Sequence, residues 1–215
     1  MCASLTVLGG SEYEYIVNKS RFISVTEHIE SKEDALSIIQ REKSRFPDAT
    51  HHCWAYILEE SGTGTKFSDD GEPSGTAGMP ILNVMQKQGL SHCITVVTRY
   101  FGGILLGAGG LVRAYTNSAV GSVSAAGTAC IELCESFGVT VSYPVYERLR
   151  PALAADKRII VSGTDYASGV TLRLCVRQSD FDAVCRELTS CCSGNLTVTE
   201  PRRESRLWPQ QQTGN

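Results

Sequence analysis

The chain has 215 residues, of which 23 are acidic and 20 are basic, giving a formal net charge of −3. This length allows one large domain or two small ones, and the charge excludes a protein that coats nucleic acid through a broad basic face. The N-terminus lacks the features of a signal peptide, and no apolar run reaches the roughly 20 residues that span a bilayer. We therefore expect a cytoplasmic protein with no membrane contact.

Nine cysteines are present, but their pattern is not that of a disulfide framework, because their number is odd and the chain is long. There is no C-x-x-C pair and no spacing typical of a zinc site. Most of the cysteines fall in apolar runs, as Cys53, Cys93, Cys175 and Cys185 do. We therefore expect reduced thiols in the core and no metal centre built from cysteine.

Strands are predicted in the first half where β-branched and aromatic residues cluster, at 13–25, 51–59 and 92–100. A helix after 31 should begin with a capping box formed by Ser31 and Asp34, and end near Phe46. Pro80 suits the first position of a short helix through 88. A loop is predicted at 61–65, and a helix from about 111 to 126.

The second half predicts a strand at 137–143, a helix at 144–156, strands at 158–166 and 169–177, a helix at 179–192 and a strand at 195–200. Pro151 should kink or divide the first of these helices, and Ser179 should cap the second. The order β-α-β-β-α-β is typical of a ferredoxin-like domain. We therefore predict an α+β protein with domains at 1–134 and 135–200, a boundary near 134–136, and a disordered tail at 201–215.

Glycine is concentrated in one part of the chain, since 12 of its 20 glycines lie between 62 and 121. Glycine allows positive φ and close approach of the backbone to a ligand, so this pattern predicts a binding surface built largely from backbone. The stretches GEPSG, GTGTK and GGILLGAGG depart from a nucleophile elbow, a P-loop and a dinucleotide-binding loop respectively. None of them predicts a catalytic residue.

The acidic residues Asp69, Asp70 and Glu72 allow two interpretations. They could hold Mg²⁺ through one or two carboxylates, or they could form a turn and ion pairs within the protein. His51 could act beside them as a base or as a hydrogen-bonding group. Because successive residues of a strand face opposite sides, only one of His51 and His52 can join a given site.

Two arginines flank the glycines that follow the strand at 92–100. Arg99 ends that strand, and Arg113 lies in the first turn of the predicted next helix; between them lie Gly102, Gly103, Gly107, Gly109 and Gly110. Guanidinium groups beside a helix N-terminus predict an anion-binding site. The alternative is that both arginines pair with the acidic residues. Ser74 and Thr76 complete the candidate binding residues.

Four stretches of the chain resemble the IMPACT/YigZ family. They are SRFI (20–23), DATHHCWAY (48–56), FSDDGEPSGTAGMP (67–80) and VTRYFGGILLGAGGLVRAY (97–115). The resemblance implies a first domain like the second domain of ribosomal protein S5 and a ferredoxin-like second domain, two folds that also adjoin in elongation factor G. Eukaryotic IMPACT proteins act in translational control with an additional N-terminal RWD domain, which we expect this chain to lack.

The resemblance transfers no catalytic residue, so our leading hypothesis is a non-enzymatic regulator of translation. It would bind RNA, the ribosome or a translation factor through the glycine-rich, arginine-flanked surface, with no DNA specificity and no cofactor. One alternative is a hydrolase of phosphate esters or peptides that uses Asp69, Asp70 and Glu72 with Mg²⁺. The other is a module that docks onto proteins through the glycine loops.

Overall fold

The computed structural model describes residues 4–58, 64–192 and 196–209. The chain is mixed α and β and separates into two compact units, Met1–Ile131 with Leu207–Asn215, and Glu132–Arg206. Within the described residues, no helix is both long and apolar enough to cross a membrane.

The first unit contains an antiparallel five-stranded sheet in the order β2-β3-β6-β4-β5. Its strands and helices are β1 (Ser4–Val7), β2 (Glu12–Val17), β3 (Ser20–His28), α1 (Lys32–Arg45), β4 (His51–Ile57), β5 (Thr65–Ser68), α2 (Gly78–Lys87), β6 (Cys93–Tyr100) and α3 (Gly107–Ala126). The sheet is covered on both faces. One core cluster joins α2 and α3 to residues such as Val97, and another joins α1 to residues such as Val96.

The predicted capping box of α1 is present. The Ser31 hydroxyl accepts a hydrogen bond from the Asp34 N–H, and the Asp34 carboxylate accepts one from the Ser31 N–H. The other two helices begin earlier than predicted, α2 at Gly78 instead of Pro80 and α3 at Gly107 instead of about 111. The last three candidate glycines therefore lie within α3, whereas the predicted helix began after them.

The remaining elements are β7 (Thr128–Val141), α4 (Tyr143–Ala155), β8 (Ile159–Tyr166), β9 (Val170–Arg177), α5 (Phe181–Cys191), β10 (Thr197–Val198) and β11 (Arg202–Pro209). They form the second unit, except that β7 begins and β11 ends in the first. The order of elements from β7 to β10 is the predicted β-α-β-β-α-β, with antiparallel strands arranged β10-β7-β9-β8. Helix α4 continues through Pro151 without division. The N-cap of α5 is Asp180 instead of Ser179.

Strand β7 begins nine residues before the strand predicted at 137. Its residues 128–131 pair with β1, and its residues 134–141 pair with β9. The boundary between the units therefore falls inside a strand, where we predicted a break between domains at 134–136.

The prediction of a disordered tail from 201 is wrong for Arg202–Pro209, which form β11 and pair with β7. Trp208 in this strand is only 4% exposed. The remainder of the predicted tail, 210–215, lies outside the described residues, as do 61–63 of the predicted loop. Among the cysteines, Cys53, Cys93, Cys175 and Cys185 are free as expected, but Cys130 is disulfide-bonded.

Candidate functional site

A buried ion pair forms the centre of the candidate site. Glu72 lies in the loop before α2, and Arg99 lies near the end of β6. The Arg99 Nη1 donates to Glu72 Oε1 at 2.5 Å, and the two side chains are only 6% and 3% exposed. The Tyr115 hydroxyl, from α3, donates to the same carboxylate oxygen at 2.8 Å. Glu72 thus joins three separate segments of the first unit.

Aromatic rings enclose the Arg99 guanidinium. Its central carbon lies 5.4 Å from the centre of the Phe22 ring and 5.6 Å from that of Phe101. Its Nη2 donates to the Ser20 hydroxyl at 3.4 Å, whereas its Nε has no hydrogen-bond partner in the described part of the chain. Of the two alternatives for Arg99, the structure therefore shows internal pairing.

Cys53 and Tyr115 extend the network into the core. The Cys53 sulfur lies 3.3 Å from the Tyr115 hydroxyl oxygen. Burial raises the pKa of the Cys53 thiol to about 12, and burial likewise raises the pKa of Tyr115 above its ordinary value. Both groups are therefore neutral at physiological pH, and neither is an activated nucleophile.

Asp69 caps the N-terminus of α2. One carboxylate oxygen accepts hydrogen bonds from the N–H groups of Ala77 at 3.0 Å and Gly78 at 2.8 Å, and the other accepts one from Gly75 at 2.9 Å. The N-cap residue Ala77 has no side chain that could do this. Asp69 therefore satisfies N–H groups that the helix would otherwise leave without partners.

Asp70 and His51 fix the acidic loop against β4. Asp70 Oδ2 accepts a hydrogen bond from the His52 N–H at 2.7 Å, and its Oδ1 lies 3.3 Å from Lys43 Nζ. The His51 Nδ1–H donates to the Asp70 carbonyl at 2.8 Å. This leaves the His51 Nε2 facing Glu72 Oε2 at 4.0 Å. The adjacent His52 donates from Nε2 to the Phe46 carbonyl at 3.1 Å, and its Nδ1 lies 4.0 Å from Asp70 Oδ2. The two histidines therefore face different carboxylates.

The three carboxylates of the acidic loop accept hydrogen bonds from different groups. Asp69 accepts from backbone N–H groups, Asp70 from β4 and Lys43, and Glu72 from Arg99 and Tyr115. Over the described residues, no group of three or more His, Cys, Asp or Glu side chains is placed to hold a metal ion. The arrangement is that of a structural loop.

The remaining residues of the acidic loop differ in exposure. The Thr76 side chain is buried and its hydroxyl donates to the Pro73 carbonyl at 2.6 Å, so Thr76 stabilises the turn. Ser74 is exposed. Of these two predicted binding residues, only Ser74 presents its side chain to solvent.

The glycines after β6 have separate structural roles. A Cβ on Gly102 would lie 2.0 Å from the Lys19 carbonyl carbon, so the backbones of the two segments touch there. Gly103 has a φ of 79° and lies in the open, and it allows the turn that follows. Gly107, Gly109 and Gly110 form the first turn of α3.

Arg113 differs from Arg99 because it is exposed on α3 and has no ion pair or hydrogen bond to any residue that the structure describes. Three apolar side chains of the preceding loop are also exposed, Leu105 at 86%, Phe101 at 46% and Ile104 at 43%. The exposed side of this loop and of the start of α3, residues 101–113, is named the 101–113 surface. The apolar side chains were missed in the sequence, although FGGILL between a strand and a helix is unusually apolar for a loop.

The Impact N-terminal domain family model matches residues 18–123, which contain the whole network and the 101–113 surface. The chain is 34% identical over 195 residues to the IMPACT family member YvyE of Bacillus subtilis (strain 168), covering 91% of this chain and 89% of that protein. It is 45% identical over 101 residues to the IMPACT family member YigZ of Escherichia coli (strain K12), covering 46% and 50%. The chain belongs to the IMPACT family.

Among solved structures, a crystal structure described as that of a hypothetical protein matches with a TM-score of 0.59 and 29% identity, covering 92% of this chain and 97% of that one. A structure of the two-domain translational regulator Yih1 matches with a TM-score of 0.35 and 21% identity, over 55% of this chain and 46% of that one.

Proposed function

We propose that this protein is a non-enzymatic regulator of translation that binds RNA or the ribosome through the 101–113 surface. The observation that carries the proposal is Arg113, which is exposed and has no ion pair within the described residues, beside the glycine-rich N-terminus of α3. The N-cap residue of this helix, Leu106, makes no side-chain hydrogen bond to the first turn. Backbone N–H groups and one cation are therefore available to a phosphate.

The neighbouring loop suits a macromolecule better than a free phosphate ion. Phe101 and Leu105 are exposed apolar side chains, and an exposed aromatic ring can stack on an unpaired base. The Arg99 guanidinium packs against the Phe101 ring, and its charge is neutralised by Glu72. We assign Arg99 to holding the loop and Arg113 to contacting the ligand.

The connection to translation comes from the family and not from the geometry. IMPACT proteins of eukaryotes, which the first unit resembles, act in translational control. We also propose that the first unit has the S5-like fold and that the second unit has the ferredoxin-like fold. The strand order β10-β7-β9-β8 supports the ferredoxin-like fold.

Co-sedimentation with ribosomes at low and moderate salt tests the proposal. Wild-type protein should sediment with ribosomes, and contact with two or three phosphates predicts a log–log salt slope of about −2 to −3. Arg113→Ala should weaken binding and reduce the slope by about 1. The matched control is Arg150→Ala, which removes an exposed arginine of α4 and should leave binding unchanged. Absence of binding by folded wild type, or equal binding by both variants, would contradict the proposal.

A second candidate, docking onto a translation-associated protein, is favoured by the exposed side chains of Phe101, Ile104 and Leu105. A pull-down of a translation-associated protein that survives nuclease digestion of the RNA and is lost in Leu105→Ser would support it. The metal-dependent hydrolase has less support, because Asp69, Asp70 and Glu72 already have internal partners. Mg²⁺-dependent hydrolysis that is lost in Asp70→Asn would restore it.

A further inference from the structure

A groove lies between α2 and α3. It shares one residue, Val112, with the 101–113 surface. It has a volume of about 400 Å³. Both helices contribute side chains spaced by four residues, Met79, Asn83 and Lys87 from α2 and Val112, Thr116 and Val120 from α3. Each row spans two turns, which is about 12 Å at 1.5 Å per residue.

Three apolar side chains in the groove are exposed, and no described segment covers them. Met79 is 38% exposed, Val112 is 38% and Val120 is 45%. Single exposed apolar residues are ordinary, but adjacent ones in a concave site indicate a binding surface. Methionine adapts readily to different apolar partners. A groove of this length and lining suits the apolar face of an amphipathic helix.

The charge of the α2–α3 region indicates which charged residues a bound amphipathic helix should carry. The chain as a whole carries more acidic than basic residues, yet residues 73–131 contain no Asp or Glu. This stretch of 59 residues includes all of α2 and α3, and its basic residues are Lys87, Arg99 and Arg113. Arg99 is neutralised by Glu72, whereas Lys87 lines the groove and is exposed.

None of the described residues that line the groove is acidic, and Lys87 is the charged residue among them. The groove therefore combines exposed apolar side chains with polar ones and with one positive charge, that of Lys87. We infer that the groove between α2 and α3 binds an acidic amphipathic helix of a protein partner, whose apolar residues contact Met79, Val112 and Val120 while its carboxylates face Lys87.

Selection from a library of random 16-residue peptides displayed on phage tests this inference without assuming a partner. Peptides enriched on wild type should be net acidic, with apolar residues three and four positions apart. Val120→Glu and Lys87→Glu should each weaken a selected synthetic peptide at least about tenfold. Because both side chains are exposed, neither change should unfold the protein, which circular dichroism would verify.

Matched controls separate the groove from general surface effects. Leu36→Glu on α1, where Leu36 is 49% exposed, and Lys157→Glu in the second unit should leave peptide affinity within about twofold. The inference is overturned if no peptide is enriched, if the enriched peptides are basic or lack helical spacing, or if Val120→Glu binds them as well as wild type. Binding of a poly(U) oligonucleotide that depends on Val120 and Lys87, without peptide enrichment, would assign the groove to RNA instead. Ribosome binding through Arg113 is measured separately, so either proposal can fail alone.

Discussion

Glu72 is the residue on which the arrangement of the site depends. Its carboxylate accepts hydrogen bonds from Arg99 on β6 and Tyr115 on α3 while it belongs to the loop before α2. Burying two opposite charges together costs desolvation, which their attraction offsets only when the geometry is good. The pair therefore adds little to the net free energy of unfolding. Its main role is to fix the positions of the three segments that meet at Glu72.

Removal of one partner should be far more damaging than the net value of the pair implies. Glu72→Ala leaves the buried Arg99 cation without its carboxylate and should cost about 3–5 kcal/mol in the free energy of unfolding. The exposed pair of Arg150 and Glu147, 3.5 Å apart, provides the control, because Arg150→Ala should cost about 0–1 kcal/mol. Urea denaturation measures the free energy of unfolding of both variants. Equal decreases in the two variants would contradict the cost expected for a buried charge without its partner.

The thiols predict an order of chemical reactivity. Burial raises the pKa values of Cys53 and Cys93 to about 12, so at pH 8 both remain protonated and unreactive in the folded protein. Cys191 is exposed and should be alkylated by iodoacetamide well before either of them, as mass spectrometry of timed samples would show. Labelling of Cys53 at the rate of Cys191 would contradict the structure, and labelling in denaturant gives the reference.

At the residue scale, the sequence predicted which side chains belong to the site better than it predicted what they do. It placed Arg99, Arg113 and the acidic residues together as candidates, but it could not separate internal from external arginines. That difference depends on Phe22 and Phe101 enclosing one guanidinium, and on β3 and β6 pairing in the register that places Phe22 opposite Arg99. Neither contact follows from local pattern.

At the scale of elements, glycines that look alike in the sequence have opposite requirements. Gly102→Ala would place a Cβ against the Lys19 backbone, and we expect it to cost about 1–3 kcal/mol through overpacking. Gly109→Ala is the matched control, since its nearest neighbour would be Arg113 Nη1 at 3.9 Å and alanine favours a helix by up to about 1 kcal/mol. Thermal unfolding of both variants checks this, and destabilisation by Gly109→Ala would contradict it.

Elements with strong local signals were predicted well. Helix α1 has a capping box and buried apolar residues at helical spacing, and β6 is a run of β-branched residues buried along most of its length. Strands β5 and β11 were missed because most residues of TKFS and RRESRLWP are polar or charged, and these segments form strands by pairing with β4 and β7. The start of α3 was misplaced because glycine has low helix propensity, which the tertiary packing of the helix overrides.

At the scale of the whole molecule, the C-terminal strand should be essential. Trp208 is 4% exposed, and Trp208→Ala should destabilise the protein by about 3–5 kcal/mol because it leaves a large cavity. Leu105→Ala, at a side chain that is 86% exposed, should change stability by no more than about 0.5 kcal/mol. If urea denaturation gives Trp208→Ala the stability of wild type, the C-terminal residues are dispensable, as a disordered tail would be.

The assignment of residues 207–209 to the first unit has a consequence for the order in which the chain folds during synthesis. After Ile131 has been added, the 75 residues from 132 to 206 must be made before this last strand segment exists. At roughly 5–20 residues per second, that interval lasts about 4 to 15 s. For that time the nascent first unit lacks residues 207–209, so a stall or premature stop within the second unit leaves the surface that Trp208 contacts uncovered and open to chaperones and proteases.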